Sequence, residues 1–141
     1  MTVVYSTTLK NQRLQMVNDT VAGKTYASST GTATAGQLVI GTSALSGATG
    51  VLATISLVTT GTAGGAFNTP ASGVLTLAGT PLSATATATG TAALAELRTN
   101  GGTTVISGLT VGTSGTDITI NATAVSTGQT VQVTSGTITH G

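Results

Sequence analysis

Apolar positions recur along this chain with two different periods. Leu9, Arg13, Met16, Val17, Thr20 and Val21 fall at i, i+4, i+7, i+8, i+11 and i+12, which is one stripe of a helix spanning about residues 6–22, with Leu14 beside it. Ser6 or Thr7 is placed to cap its start and Gly23 to end it. Such a stripe fits a helix lying on a sheet or on a neighbouring subunit. After Lys24 the period falls to two. Val51, Ala53, Ile55 and Leu57 alternate with their neighbours, as do Ile118 with Ile120 and Val131 with Val133.

This alternation predicts strands at 37–41, 51–58, 74–78, 83–89, 92–99, 103–107, 109–111, 117–121, 130–134 and 136–140. Between them lie turn signals such as Gly47-Ala48-Thr49-Gly50, Asn68-Thr69-Pro70, Gly79-Thr80-Pro81 and Ser114-Gly115-Thr116-Asp117. Asn100-Gly101 between two apolar runs predicts a hairpin joining 92–99 to 103–107. Many short strands without interleaved helices predict a mainly β fold, an antiparallel β-sandwich of jelly-roll-like form over residues 36–141. An N-terminal helical segment precedes it at 1–24, and residues 25–35 are low in complexity and read as a linker or loop.

Composition narrows the function classes. Of 141 residues, 34 are Thr and 20 are Gly, and charged residues amount to 5%, against about a quarter in an ordinary soluble domain. Thr, branched at Cβ, suits exposed pleated positions and needs no chemical role. Four Lys or Arg cannot make a nucleic-acid footprint. The absence of Cys removes a disulfide framework, a thiolate zinc site and a thiol nucleophile. No stretch approaches 18 apolar residues, so no membrane partner is expected, and residues 1–5 do not read as a targeting segment. The triplets Asn18-Asp19-Thr20 and Asn121-Ala122-Thr123 are chance matches to a glycosylation motif in so Thr-rich a chain. A net charge of +1 with few large core side chains fits a subunit that buries surface against partners, a homo-oligomer.

No candidate catalytic, cofactor-binding or metal-binding constellation emerges. His140 is the single His and lies next to the end of the sequence, and three scattered carboxylates add no ligand set. Glu96 and Arg98, two apart on one strand, share a face and could meet Asp117 in a small cross-strand ion cluster. Gly61-Thr62-Ala63-Gly64-Gly65 lacks the Gly-Lys-Ser/Thr of a phosphate loop and reads as a mobile loop or hairpin tip. Concentrated charge occurs in the N-terminal segment alone. Lys10, Arg13 and Lys24, with the amphipathic Tyr5, are therefore the candidate contact residues toward a partner or a neighbouring subunit.

Tyr5-Ser6-Thr7-Thr8-Leu9-Lys10 with Arg13 and Met16 resembles the N-terminal helix of a set of small tailed-bacteriophage virion proteins. Gln37-Leu38-Val39-Ile40-Gly41-Thr42, Val51 through Leu57, Gly73 through Leu77, Gly90 through Arg98 and Val105 through Ile118 continue the likeness in order. The resemblance implies a capsid decoration (cement) protein with a jelly-roll-like fold. Such a protein binds the assembled head, stabilises the major capsid protein lattice, and resides on the virion surface after assembly in the host cytoplasm. It needs a rigid β scaffold and two binding faces, and it is not an enzyme. A tail or fibre component would share this composition. A carbohydrate-binding β-sandwich is a further alternative, weakened by the scarcity of aromatics, Tyr5, Tyr26 and Phe67.

Overall fold

The helix α1 forms at Thr7–Val21 because both of its ends are closed by local chemistry. Ser6 accepts from the Leu9 backbone N–H through its hydroxyl. At the other end Gly23 takes the left-handed conformation (φ +68°). Gly23 N–H then donates to Thr20 O and Lys24 N–H to Asp19 O, the paired bonds of a Schellman ending. The computed structural model of the chain describes residues 2–25 and 31–140. Residues 26–30 of the expected linker, Tyr26 among them, lie outside the described residues.

Ten strands follow α1: β1 Gln37–Ser46, β2 Thr49–Ser56, β3 Val74–Thr76, β4 Leu82–Thr85, β5 Gly90–Thr91, β6 Leu94–Arg98, β7 Thr104–Gly112, β8 Ile118–Ile120, β9 Ala124–Val125 and β10 Thr130–Thr139. The main sheet runs β2-β1-β6-β7-β8-β10-β3, with β4 also on β10, and β5 pairs β9 separately. Thr87 N–H, just past β4, donates to Leu52 O of β2, so the β4 branch meets the strand at the far end of this order. The strands thereby enclose one core, consistent with a β-sandwich. All pairings of these ten strands but one are antiparallel; β7 and β8 run parallel through Val111↔Ile118 and Gly112↔Thr119.

Inward residues from successive strands lie opposite one another. Leu38 is flanked by Ile55 and Leu97, and Ile40 by Ala53 and Ala95. They join Phe67, Leu75, Val111, Ile118, Val131 and Val133 in one buried cluster to which Leu14 and Val21 of α1 also belong. The helix is thus part of the same core as the sheet. It rests on Leu14, Asn18 and Val21 with Val17 packed beside them, so the expected stripe is met in its C-terminal part, whereas its Leu9 and Met16 are exposed. The reason is polar: Asn18 must be buried to serve the loop described next, and it turns the helix toward its own side.

Several boundaries differ from expectation. The two expected strands at 103–107 and 109–111 form the single strand β7, Thr104–Gly112, because Gly108, at φ +76°, absorbs a register shift that another residue could take only under strain. Likewise 130–139 is one long strand whose first half pairs β4 and whose second half pairs β3. The Asn100-Gly101 hairpin exists, but its loop includes Gly102, with Thr99 and Thr103 closing it.

Residues 61–67 are not a free hairpin tip; they are clasped by α1. Ala63 O accepts from both Gln15 Nε2 (2.8 Å) and Asn18 Nδ2 (3.0 Å), and Asn18 Oδ1 accepts from Phe67 N–H. Lys24 Nζ donates to Gly64 O. Inside the loop Gly61 N–H bonds Gly65 O and Ala63 N–H bonds Phe67 O. A Cβ on Gly61 would strike the Phe67 carbonyl and lie 2.8 Å from Gly65 O, both fixed backbone. Gly61→Ala is therefore expected to cost about 3 kcal/mol. Gly101→Ala, whose Cβ would come no nearer than 3.9 Å to Thr99 Oγ1, should change stability by less than about 0.5 kcal/mol. Urea denaturation of the two variants makes the comparison.

Candidate functional site

Each of the three carboxylates is engaged within the fold. Asp19 Oδ1 accepts from Gln15 Nε2 and Asn18 Nδ2 beneath the clasp. Glu96 Oε2 accepts from Nε and Nη2 of Arg98 at 3.0 and 2.7 Å, and from the Thr104 hydroxyl. Arg98 Nη2 also reaches Gly47 O, tying the tip of the β1–β2 hairpin to β6. Asp117 does not join this pair. Its Oδ2 accepts from the backbone N–H and hydroxyl of Thr110, while its own N–H donates back to Thr110 Oγ1. The cause is register: Thr110 lies opposite Leu94, and Arg98 lies opposite Thr104, at the other end of β6. Asp117 closes the loop that lets β8 run parallel to β7.

The cations divide differently. Lys24 is at the C-terminal end of α1 on Gly64 O, away from the other candidates. Tyr5, Lys10 and Arg13 come together with His140. The Arg13 guanidinium carbon sits 3.8 Å above the Tyr5 ring centre. Its Nη1 is 3.3 Å from His140 Nε2; a guanidinium carries no acceptor, so the imidazole accepts. The Tyr5 and His140 rings meet edge to face at 5.8 Å. Lys10 lies one turn before Arg13, its Cδ 3.4 Å from where a Cβ on Gly73 would be. Asn11 Oδ1 accepts from Gly73 N–H, and Gly73 O accepts from His140 N–H. These bonds fix the N-terminal half of α1 to the β3–β10 edge. The sequence places His140 as a terminal residue without a role, because nothing in its neighbourhood along the chain signals that it meets Arg13.

Among the described residues the ion pair is Arg98–Glu96; neither Lys10 nor Arg13 has a carboxylate partner. The exposed large apolar residues among the described ones all fall within residues 3–16: Val3 (65%), Val4 (84%), Leu9 (37%) and Met16 (42%). Phe67, by contrast, is buried in the core. Among the described residues no pocket is found and no three metal-ligating side chains come together. The site is a surface: an apolar stripe carrying two cations on a helix whose other side is built into the core. No family model, curated protein or solved structure matches this chain.

Proposed function

We propose that this chain is a structural protein of a tailed-bacteriophage virion, a decoration (cement) protein that binds the assembled head and stabilises the major capsid protein lattice. In this reading it acts as a homo-oligomer, a trimer suited to the local three-fold symmetry of a shell, and it is assembled in the host cytoplasm. The reading takes its direction from the sequence resemblance. The observation that carries it is the placement of every exposed large apolar residue of the described chain within residues 3–16, alongside Lys10 and Arg13. A helix clamped to its own core by Leu14, Asn18 and Val21 offers that stripe as a rigid contact face. Contacts repeated by each copy in an oligomer multiply affinity by roughly 10²–10⁴.

Removing α1 would open the core, so surface substitutions are the informative test. Leu9→Asp combined with Met16→Asp should leave the melting temperature within a few degrees of the parent and abolish attachment to heads. Gold-labelled antibody against an epitope-tagged chain should mark heads in electron micrographs of purified virions. Label confined to tails would replace this reading with that of a tail or fibre component. Unlabelled virions would remove the virion reading altogether.

A further inference from the structure

The outward side of α1 carries Leu9, Arg13 and Met16 at i, i+4 and i+7, a cation between two exposed apolar residues. Arg13 is already oriented. The Tyr5 ring supports one face of its guanidinium, and His140 takes a single N–H. Four further N–H donors remain, enough to meet both oxygens of a carboxylate side by side. A side chain fixed in this way loses little freedom on binding. Lys10, one turn earlier, adds a second cation that makes no hydrogen bond or ion pair among the described residues.

We propose that the corner formed by Tyr5, Lys10, Arg13 and His140 is a carboxylate-binding site. It takes an Asp- or Glu-bearing segment of a protein partner, with Leu9 and Met16 holding apolar side chains on either side of the acid. This rests on the reading that α1 is the contact element. Charge complementarity supplies the first argument, since the carboxylate side chains among the described residues are engaged elsewhere, Glu96 with Arg98, Asp117 with Thr110 and Asp19 in the clasp. The second distinguishes carboxylate from phosphate. Phosphate-backbone affinity grows with the number of phosphates neutralised, and two cations on a helix that also exposes Leu9 and Met16 suit a mixed acidic and apolar segment instead.

The full chain titrated with a short peptide of alternating Glu and Leu, followed by NMR and calorimetry, tests the proposal. Expected are shifts confined to Tyr5, Lys10, Arg13, His140 and their neighbours. The matched Gln–Leu peptide should bind about tenfold more weakly, as should the Arg13→Gln variant toward the Glu peptide. Arg13→Lys should fall between. If Arg13→Gln fails to fold, Lys10→Gln, which loses no internal bond, is read in its place with a smaller expected loss. No binding, equal binding of the Gln peptide, or shifts elsewhere overturn the proposal. Inorganic phosphate or duplex DNA binding as tightly as the Glu peptide assigns the corner to phosphates and overturns it equally. Head attachment separates this proposal from the reading beneath it. If Lys10→Gln/Arg13→Gln still decorates heads and the Leu9→Asp/Met16→Asp variant does not, the carboxylate site falls and the contact element stands. If both variants decorate normally, α1 is not the contact element.

Discussion

Replacement of Asn18 by alanine is expected to lower the unfolding free energy by about 3 kcal/mol, one of the largest effects a single polar side chain in this fold can have. Asn18 is fully buried and uses both ends of its amide, Nδ2 toward Ala63 O and Asp19 Oδ1, and Oδ1 toward Phe67 N–H. Truncation strands a backbone N–H and deprives a buried carboxylate of a donor. It also opens a void beside Gly65, where the amide packs so closely that a Cβ added to the glycine would lie 2.7 Å from Asn18 Oδ1. For a chain of this size the melting temperature should drop by roughly 10 °C. Asn11→Ala removes a single part-buried bond to Gly73 and should cost about 1 kcal/mol. Equal losses in calorimetry would mean that the 61–67 loop is not held by the helix.

The Glu96–Arg98 pair should behave asymmetrically. Its side chains are 7% and 12% exposed, so each charge depends on the other in place of water. Glu96→Ala leaves the guanidinium with only Gly47 O and strips Thr104 of its acceptor. A loss of about 3–4 kcal/mol is expected. The double replacement Glu96→Leu/Arg98→Met, which removes both charges and keeps the volume, should cost much less than Glu96→Ala alone. Denaturant midpoints of the single and double variants decide it. A double variant less stable than either single one would show that the pair contributes net stability beyond mutual neutralisation.

Local signals account for the elements whose causes are local. The Ser6 cap, the Gly23 ending, the alternation of Val51 to Leu57 and the Asn100-Gly101 hairpin each depend on residues a few positions apart, and each is present. The direction α1 faces is not legible in the same way. It is decided by an amide, Asn18, whose partners are 45 and 49 residues away, and hydrophobic periodicity takes no account of a buried polar residue. Gly108 and Gly136 read as strand ends because glycine interrupts a pattern; within a sheet they are places where the strand bends or a neighbour approaches closely. The Glu96–Arg98 pair follows from their spacing, and Asp117 falls outside it because a parallel β7–β8 pair is not anticipated from a short turn. Of the candidate contact residues, three of four gather at one corner, and His140 completes it from the far end of the chain.

The long strand β10 sets the schedule on which this molecule is made. One edge of it pairs β8 and the other pairs β4 and then β3, so β3, β4 and the edge of β8 that faces away from β7 wait for a partner until residues 130–139 have left the ribosome. Translation at about 5–20 residues per second leaves those edges open for seconds. During that interval the β1–β2 and β6–β7 hairpins, whose partners are close in sequence, can already form. Completion of the enclosure therefore waits for residues 130–139, and a chain cut short before residue 130 presents unpaired strand edges that are open to proteases and to pairing with other chains.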